Sequence, residues 1–297
     1  MSELKRVFGS VIVAMVTPFH ADGSVDIPTA RRLARHLVDQ GCDGIVLNGT
    51  TGESPTTHQP EKDELVAAVV DEVGSQAFIT AGAGSNDTAH AVRIAKGAKR
   101  SGAHGVLVLP PYYNRPSQEG VYRHMRAVIE AAELPAMLYD IPGRTGVRLE
   151  DATLDRLAAL EPVLAVKDAT GNVAHGFDAI ARTGLEYYSG DDGLNFAWLA
   201  HGAAGMVSVV GHVAAAQYKQ LVSLVDGGDL AGARAVARDL RDVVAAVMGT
   251  GQGAVMAKHA LHLQGILPTP TLRLPLVEAP QADVDNLADV LRAHSML

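Results

Sequence analysis

The chain has 297 residues, of which 47% are hydrophobic, 20% are charged and only 4% are aromatic. Its 33 acidic and 25 basic residues give a formal net charge of -8 without a run of like charges, which argues against nucleic-acid and membrane-surface partners. No apolar stretch is long enough to cross a bilayer, and the N-terminal residues lack the pattern of a signal peptide. Together with the single cysteine, Cys42, these features predict a soluble cytoplasmic protein.

Short apolar runs alternate with segments of helical periodicity over residues 1–225. The runs predict strands at residues 11–16, 44–48, 77–81, 105–109, 136–140, 163–167, 186–189 and 205–209. The segments that follow them predict helices at residues 28–40, 61–73, 88–101, 118–132, 150–160, 173–182, 193–201 and 213–225. Eight such units in strict alternation predict an α/β fold, a (β/α)₈ TIM barrel, with a doubly wound sheet as the alternative.

The alternation stops after residue 225. A turn at residues 226–229 precedes a predicted long helix over 230–248, and a glycine-rich helix break at 249–253 leads to another helix that ends near residue 263. Residues 267–280 are proline-rich and irregular, and residues 281–294 have the pattern of a terminal helix. We therefore expect a small all-helical C-terminal region over residues 226–297, after a barrel over residues 1–225 that carries the active site.

Lys167 ends an apolar run that begins at Val163 and has the composition of a buried parallel strand. An amine held between apolar walls has a lowered pKa, and a neutral amine can form a Schiff base with a carbonyl substrate. The alternative is that Lys167 merely leaves the strand and extends to water.

Active sites of (β/α)₈ barrels lie at the carboxyl ends of the strands, where this sequence places several more polar side chains. Thr50 and Thr51 can donate hydrogen bonds to a carboxylate, Tyr139 can transfer a proton, and Arg144 can bind a second carboxylate. Each of these residues alone is also a common turn or packing residue. Together with Lys167, they favour a carbonyl lyase or aldolase that needs no metal and no cofactor.

Four segments of the chain resemble the dihydrodipicolinate synthase / N-acetylneuraminate lyase family. They are Gly49-Thr50-Thr51-Gly52-Glu53-Ser54, Pro111-Tyr112-Tyr113-Asn114, Tyr139-Asp140-Ile141-Pro142-Gly143-Arg144-Thr145-Gly146 and Val166-Lys167-Asp168-Ala169. The resemblance covers essentially the whole chain. It implies that Lys167 forms an imine with pyruvate and that the derived enamine attacks L-aspartate 4-semialdehyde. The product would be 4-hydroxy-tetrahydrodipicolinate, on the diaminopimelate route of lysine biosynthesis.

The resemblance also implies a role for individual residues. Thr50, Tyr139 and Tyr113 match a proton relay in which the last tyrosine comes from a neighbouring subunit. Thr51 matches the contact to the pyruvate carboxylate, and Arg144 matches the anchor for the semialdehyde carboxylate. Backbone positions that line the site correspond to Gly190 and Val207. Family members of this kind form homotetramers that are dimers of dimers.

Two alternatives to this function remain open from the sequence. Aldolases of sugar acids or hydroxy-oxo-acids use the same imine chemistry and differ in few pocket residues. A catalytically silent barrel, acting as a regulator or scaffold, belongs to a different class. The presence of Lys167 and of the matching relay residues argues against the silent barrel.

Overall fold

Eight parallel strands form a closed barrel in which each strand pairs with the next and β8 returns to β1. The structure is a computed structural model that describes residues 4–249 and 252–297. Its strands are β1 (Val11–Ala14), β2 (Gly44–Leu47), β3 (Phe78–Gly82), β4 (Gly105–Val108), β5 (Ala136–Asp140), β6 (Val163–Asp168), β7 (Glu186–Ser189) and β8 (Gly205–Ser208). The prediction of a (β/α)₈ barrel is confirmed, and a doubly wound sheet is excluded because the sheet closes on itself.

Helices follow the strands as the sequence predicts. They are α1 (Ile27–Asp39), α2 (Gln59–Val73), α3 (Thr88–Arg100), α4 (Gln118–Ala132), α5 (Pro142–Thr145), α6 (Asp151–Ala158), α7 (Val173–Thr183), α8 (Asn195–Ala200) and α9 (Gly211–Asp226). Two of these helices begin at a residue that caps the N-terminus with its side chain. Asp26 accepts a hydrogen bond from the backbone N–H of Thr29, and Ser117 accepts one from the backbone N–H of Gly120. The short helix α5 was not predicted from the sequence.

The alternation of strand side chains separates the barrel interior from the layer under the helices. Met137, Tyr139 and Ala165 belong to the interior cluster, whereas Leu138 and Val166 pack in the cluster beneath the helices. Lys167 is two residues beyond Ala165, so its side chain also points into the barrel. The same alternation that buries the core therefore places an amine at the inner mouth of the barrel.

The described residues after α9 form helices without further strands. The helices are α10 (Leu230–Asp239), α11 (Arg241–Met248), α12 (Gly253–Leu263) and α13 (Gln281–Ala293). The single helix predicted over residues 230–248 is wrong, because the chain turns at Leu240, whose side chain is buried. We propose that the barrel spans residues 1–225 and that the helical region spans residues 226–297. No helix in the described ranges is both long and apolar enough to span a membrane.

Candidate active site

Two cavities of about 240 Å³ and about 80 Å³ lie at the carboxyl ends of the strands. Both are lined by Thr50, Tyr139 and Arg144, so they are parts of one site. The smaller cavity is also lined by Thr51, Lys167, Gly190 and Val207. The structure thus brings together all the predicted site residues except Tyr113.

Lys167 and Tyr139 are paired in register on the adjacent strands β6 and β5. The Lys167 ammonium nitrogen is 4.1 Å from the centroid of the Tyr139 ring. Burial lowers the pKa of Lys167 to about 8, and the nearby Arg144 guanidinium acts in the same direction. Burial raises the pKa of the Tyr139 hydroxyl, so this group is protonated at neutral pH. A pKa of about 8 leaves about a tenth of the amine neutral at pH 7, beside a phenol that can donate a proton.

Asp192 is the buried carboxylate that opposes the lowering of the Lys167 pKa. It accepts hydrogen bonds from the backbone N–H groups of Val209 and Val210, at 2.8 and 3.1 Å, and from the Tyr218 hydroxyl at 3.1 Å. These bonds fix the carboxylate between the ends of β7 and β8. The sequence analysis did not assign Asp192 to the site, because its place near Lys167 depends on contacts between segments that are distant in sequence.

The pKa of Lys167 predicts how adduct formation depends on pH. Below a pKa of about 8 the amine is mostly protonated, so the rate of imine formation with pyruvate should rise about tenfold per pH unit and level off above that value. Asp192→Asn should shift the midpoint to lower pH, because it removes the negative charge that favours the ammonium. Borohydride trapping at a series of pH values measures this. A midpoint near 10.5, the ordinary pKa of a lysine side chain, would contradict an amine whose pKa is lowered by burial.

Gly190 leaves space for Lys167. A Cβ atom at position 190 would lie 2.9 Å from the backbone oxygen of Asp168 and 3.1 Å from the Cε atom of Lys167. The backbone N–H of Gly190 donates a 2.7 Å hydrogen bond to the same Asp168 oxygen. Any side chain here would therefore displace the strand end or the lysine.

Thr50 and Thr51 lie in a tight turn after β2. The backbone N–H of Glu53 donates to the Thr50 oxygen at 3.1 Å, and the Thr17 hydroxyl donates to the Gly52 oxygen at 2.7 Å. Glu53 adopts a left-handed conformation with φ of 54°. Thr51 is buried, whereas Thr50 is partly open to the cavity. The turn thereby presents two adjacent threonines to the space beside Lys167.

Arg144 lies on the short helix α5, directly after β5. The Thr145 hydroxyl holds this helix, with hydrogen bonds of 3.0 Å to the Ile141 oxygen and 2.6 Å to the Val147 oxygen. Arg144 is an exposed residue, and its side chain lines both cavities. Its guanidinium is thus placed at the outer part of the site, where it can bind an anionic group as that group enters.

Tyr113 lies outside the cavities of its own chain. It is 87% exposed and has a φ of 72°, while the preceding residue, Tyr112, lines the larger cavity. A left-handed conformation costs energy in a residue with a bulky side chain, and this one directs an aromatic ring into solvent. The structure of one chain therefore does not bring Tyr113 to Lys167.

The helical region contributes cavity residues that the sequence did not reveal. Met248 and Gly253 line the smaller cavity, and Gln252 lines both. Met248 directly precedes the predicted glycine-rich break at residues 249–253, and Gln252 and Gly253 are its last two residues. Residues 250 and 251 lie outside the described ranges. No motif marks the three cavity residues, because their approach to the barrel mouth results from the packing of α11 and α12.

Fold and site together define a (β/α)₈-barrel protein with a buried, low-pKa lysine at the mouth of the barrel. The model of the Dihydrodipicolinate synthetase family matches residues 7–294, and the chain belongs to this family. It is 50% identical over 290 residues to the 4-hydroxy-tetrahydrodipicolinate synthase of Bifidobacterium longum (strain DJO10A). The aligned region covers 98% of this chain and 96% of the relative. The family resemblance inferred from the four motifs is thereby confirmed.

Solved structures agree with this assignment. Dihydrodipicolinate synthase from Acinetobacter baumannii, in complex with pyruvate, matches with a TM-score of 0.93 and 33% identity over 98% of this chain and 100% of that one. A monomeric dihydrodipicolinate synthase variant matches with a TM-score of 0.92 and 35% identity over 97% of each chain. One of these matched structures is thus of a monomeric protein.

Proposed function

We propose that this chain condenses pyruvate with L-aspartate 4-semialdehyde to give 4-hydroxy-tetrahydrodipicolinate. The observation that carries the proposal is the buried Lys167 amine, with a pKa of about 8, 4.1 Å from the Tyr139 ring in a cavity also lined by two threonines and an arginine. The names of relatives that are 50% identical over almost the whole chain support the same reaction.

The first half-reaction forms a covalent bond to the enzyme. The neutral Lys167 amine attacks the pyruvate carbonyl, and loss of water from the carbinolamine gives the imine. Tyr139 is the protonated group beside this nitrogen, and we assign proton transfer to it, with Thr50 and Tyr113 as the other members of the relay. Loss of a methyl proton then gives the enamine, whose carbon attacks the aldehyde and leaves a hydroxyl group and an imine to Lys167. The amino group of the semialdehyde attacks that imine carbon, which closes the ring and releases Lys167 as the free amine.

Two sets of groups would hold the substrates. We assign the pyruvate carboxylate to Thr51, with the backbone at Gly190 and Val207 lining the same small cavity. The carboxylate of the semialdehyde is assigned to Arg144, at the outer part of the site. Each carboxylate thus has its own set of donors, which orients the aldehyde toward the enamine.

Arg144→Ala should raise the KM for the semialdehyde while the pyruvate adduct still forms. Losing a hydrogen bond to a charged group costs about 1.5–3 kcal/mol, which corresponds to a KM about 10- to 150-fold higher. Arg148→Ala is the matched control, because Arg148 is also exposed, makes a 3.3 Å contact to His175 and is not a cavity residue. Equal damage to trapping of pyruvate in the Arg144 variant would assign the residue to the first substrate instead.

The proposal includes assembly into a homotetramer built as a dimer of dimers. The exposed Tyr113 ring supports it, because this side chain can act as a relay member only if it reaches the site of a second copy. Aromatic residues are also enriched at protein interfaces. The oligomeric state in solution, measured by analytical ultracentrifugation, tests this part of the proposal separately from the chemistry.

A coupled assay tests the proposed reaction against its nearest alternatives. The purified chain should consume pyruvate with aspartate semialdehyde much faster than it cleaves N-acetylneuraminate or 2-keto-3-deoxygluconate. A preference for either sugar acid would make the chain an aldolase of the same chemistry. Failure to trap pyruvate with borohydride would instead indicate a silent barrel.

A further inference from the structure

A buried ion pair connects the threonine turn to the helical region. The Lys258 ammonium on α12 donates a 2.5 Å hydrogen bond to Oε1 of Glu53, and each side chain is only 1% exposed. Lys258 also donates to the backbone oxygen of Thr271 at 2.8 Å, and the backbone N–H of Arg273 donates to Oε2 of Glu53 at 2.9 Å. Both oxygens of the Glu53 carboxylate therefore bind groups of the C-terminal region.

Arg273 extends this connection along the rim of the barrel. Its guanidinium donates to the backbone oxygens of Gly23 and Thr56, both at 2.8 Å, and forms a fork with the Glu61 carboxylate. The guanidinium carbon of Arg273 and the ammonium of Lys258 lie 4.5 and 4.1 Å from the centroid of the Phe19 ring. The loops after β1 and β2 are thus tied to one segment of the helical region.

Glu53 is two residues from Thr51 and closes the turn by donating its backbone N–H to Thr50. We propose that Glu53 and Lys258 are positioning residues, which hold the Thr50–Thr51 turn in its catalytic geometry by fixing it to the helical region. The inference rests on the proposed function, because it gives these residues an effect on the pyruvate site. It goes beyond that function by making the C-terminal helices necessary for the conformation of that site.

The physical chemistry of buried ions favours positioning over simple stabilisation. Burying two charges costs desolvation free energy that their attraction only partly offsets, so such a pair is weak evidence for a gain in stability. Burial lowers the pKa of Lys258 to about 8 even with the Glu53 carboxylate in contact. The pair fixes the orientation of the Glu53 side chain, since both carboxylate oxygens have fixed donors and the Glu53 backbone is held in a left-handed conformation.

The test uses two variants of the full chain. Glu53→Gln/Lys258→Met removes both charges and leaves no unpaired ion in the interior. Arg273→Lys is a milder change, which keeps the positive charge but loses the fork to Glu61 and the bonds to both loops. In folded protein, each should lower kcat/KM for pyruvate and slow borohydride trapping at low pyruvate, by about tenfold to a hundredfold for the double variant.

Lys219→Met is the matched control. It removes the 2.7 Å ion pair between Lys219 and Asp43 at the opposite end of the barrel, so it should lower the melting temperature without changing the kinetics. If the double variant and Arg273→Lys are folded at the assay temperature and have wild-type kinetics, the positioning role is overturned. Failure of the wild type itself to trap pyruvate would instead overturn the proposed function, so the two failures are distinguishable.

Discussion

Lys167→Ala should abolish the pyruvate adduct and lower turnover by several orders of magnitude. The amine is the only group proposed to bond covalently to the substrate, and without it no enamine forms. The fold should survive, because the side chain ends at a cavity and an alanine there leaves the strand pairing to Tyr139 intact. Mass spectrometry after treatment with pyruvate and borohydride measures the adduct, and circular dichroism checks the fold.

Peptide mapping of the wild-type adduct makes this prediction more specific. Lys62 and Lys258 are also buried, and burial lowers the pKa of each of them to about 8. Lys62, however, donates hydrogen bonds to the backbone oxygen of Ser54 and to the Thr57 hydroxyl, and Lys258 is paired with Glu53. The adduct should therefore map to the peptide with Lys167, and Lys62→Met should still trap pyruvate. An adduct on either of the other lysines would show that the nucleophile lies elsewhere.

The barrel could be predicted from the sequence because its physical cause is local. Parallel strands covered by helices need continuous apolar runs, and helices that cover them need an apolar stripe, so both patterns are visible within short windows. Predicted strand ends differ from the structure by only one or two residues at β1 (Val11–Ala14) and β6 (Val163–Asp168). The turn at Leu240 was missed because it contains neither glycine nor proline and because Leu240 keeps the helical spacing of the apolar residues Val236 and Val243.

The candidate site was predictable to the extent that it is built from strand ends. Lys167 and Tyr139 lie on adjacent strands, and both side chains point into the barrel, so closing the barrel is enough to bring them together. Met248 and Gln252 approach through tertiary packing of helices, for which a single sequence has no periodic signal. Asp192 was not predicted as a site residue, since its hydrogen bonds to Val209 and Val210 join segments that are distant in sequence.

Tyr113→Phe should lower turnover by about 10²- to 10⁴-fold, the usual contribution of a positioned acid or base. The ring is 87% exposed and outside the cavities of its own chain, so the proposed relay requires a second copy to supply it. Because phenylalanine keeps the ring and removes only the hydroxyl, surface packing between copies should be retained. Steady-state assays and the measured oligomeric state separate loss of the proton relay from loss of assembly.

Mixing inactive subunits distinguishes a shared site from a site within one chain. Hybrid dimers of Tyr113→Phe and Lys167→Ala would contain one complete site, so random exchange should restore about a quarter of the wild-type activity for a two-fold interface. Tyr139→Phe mixed with Lys167→Ala is the control that should restore nothing, because Tyr139 and Lys167 belong to the same cavity of one chain. If native mass spectrometry shows hybrids in both mixtures and neither regains activity, Tyr113 does not act across subunits, and the relay must be completed within the chain.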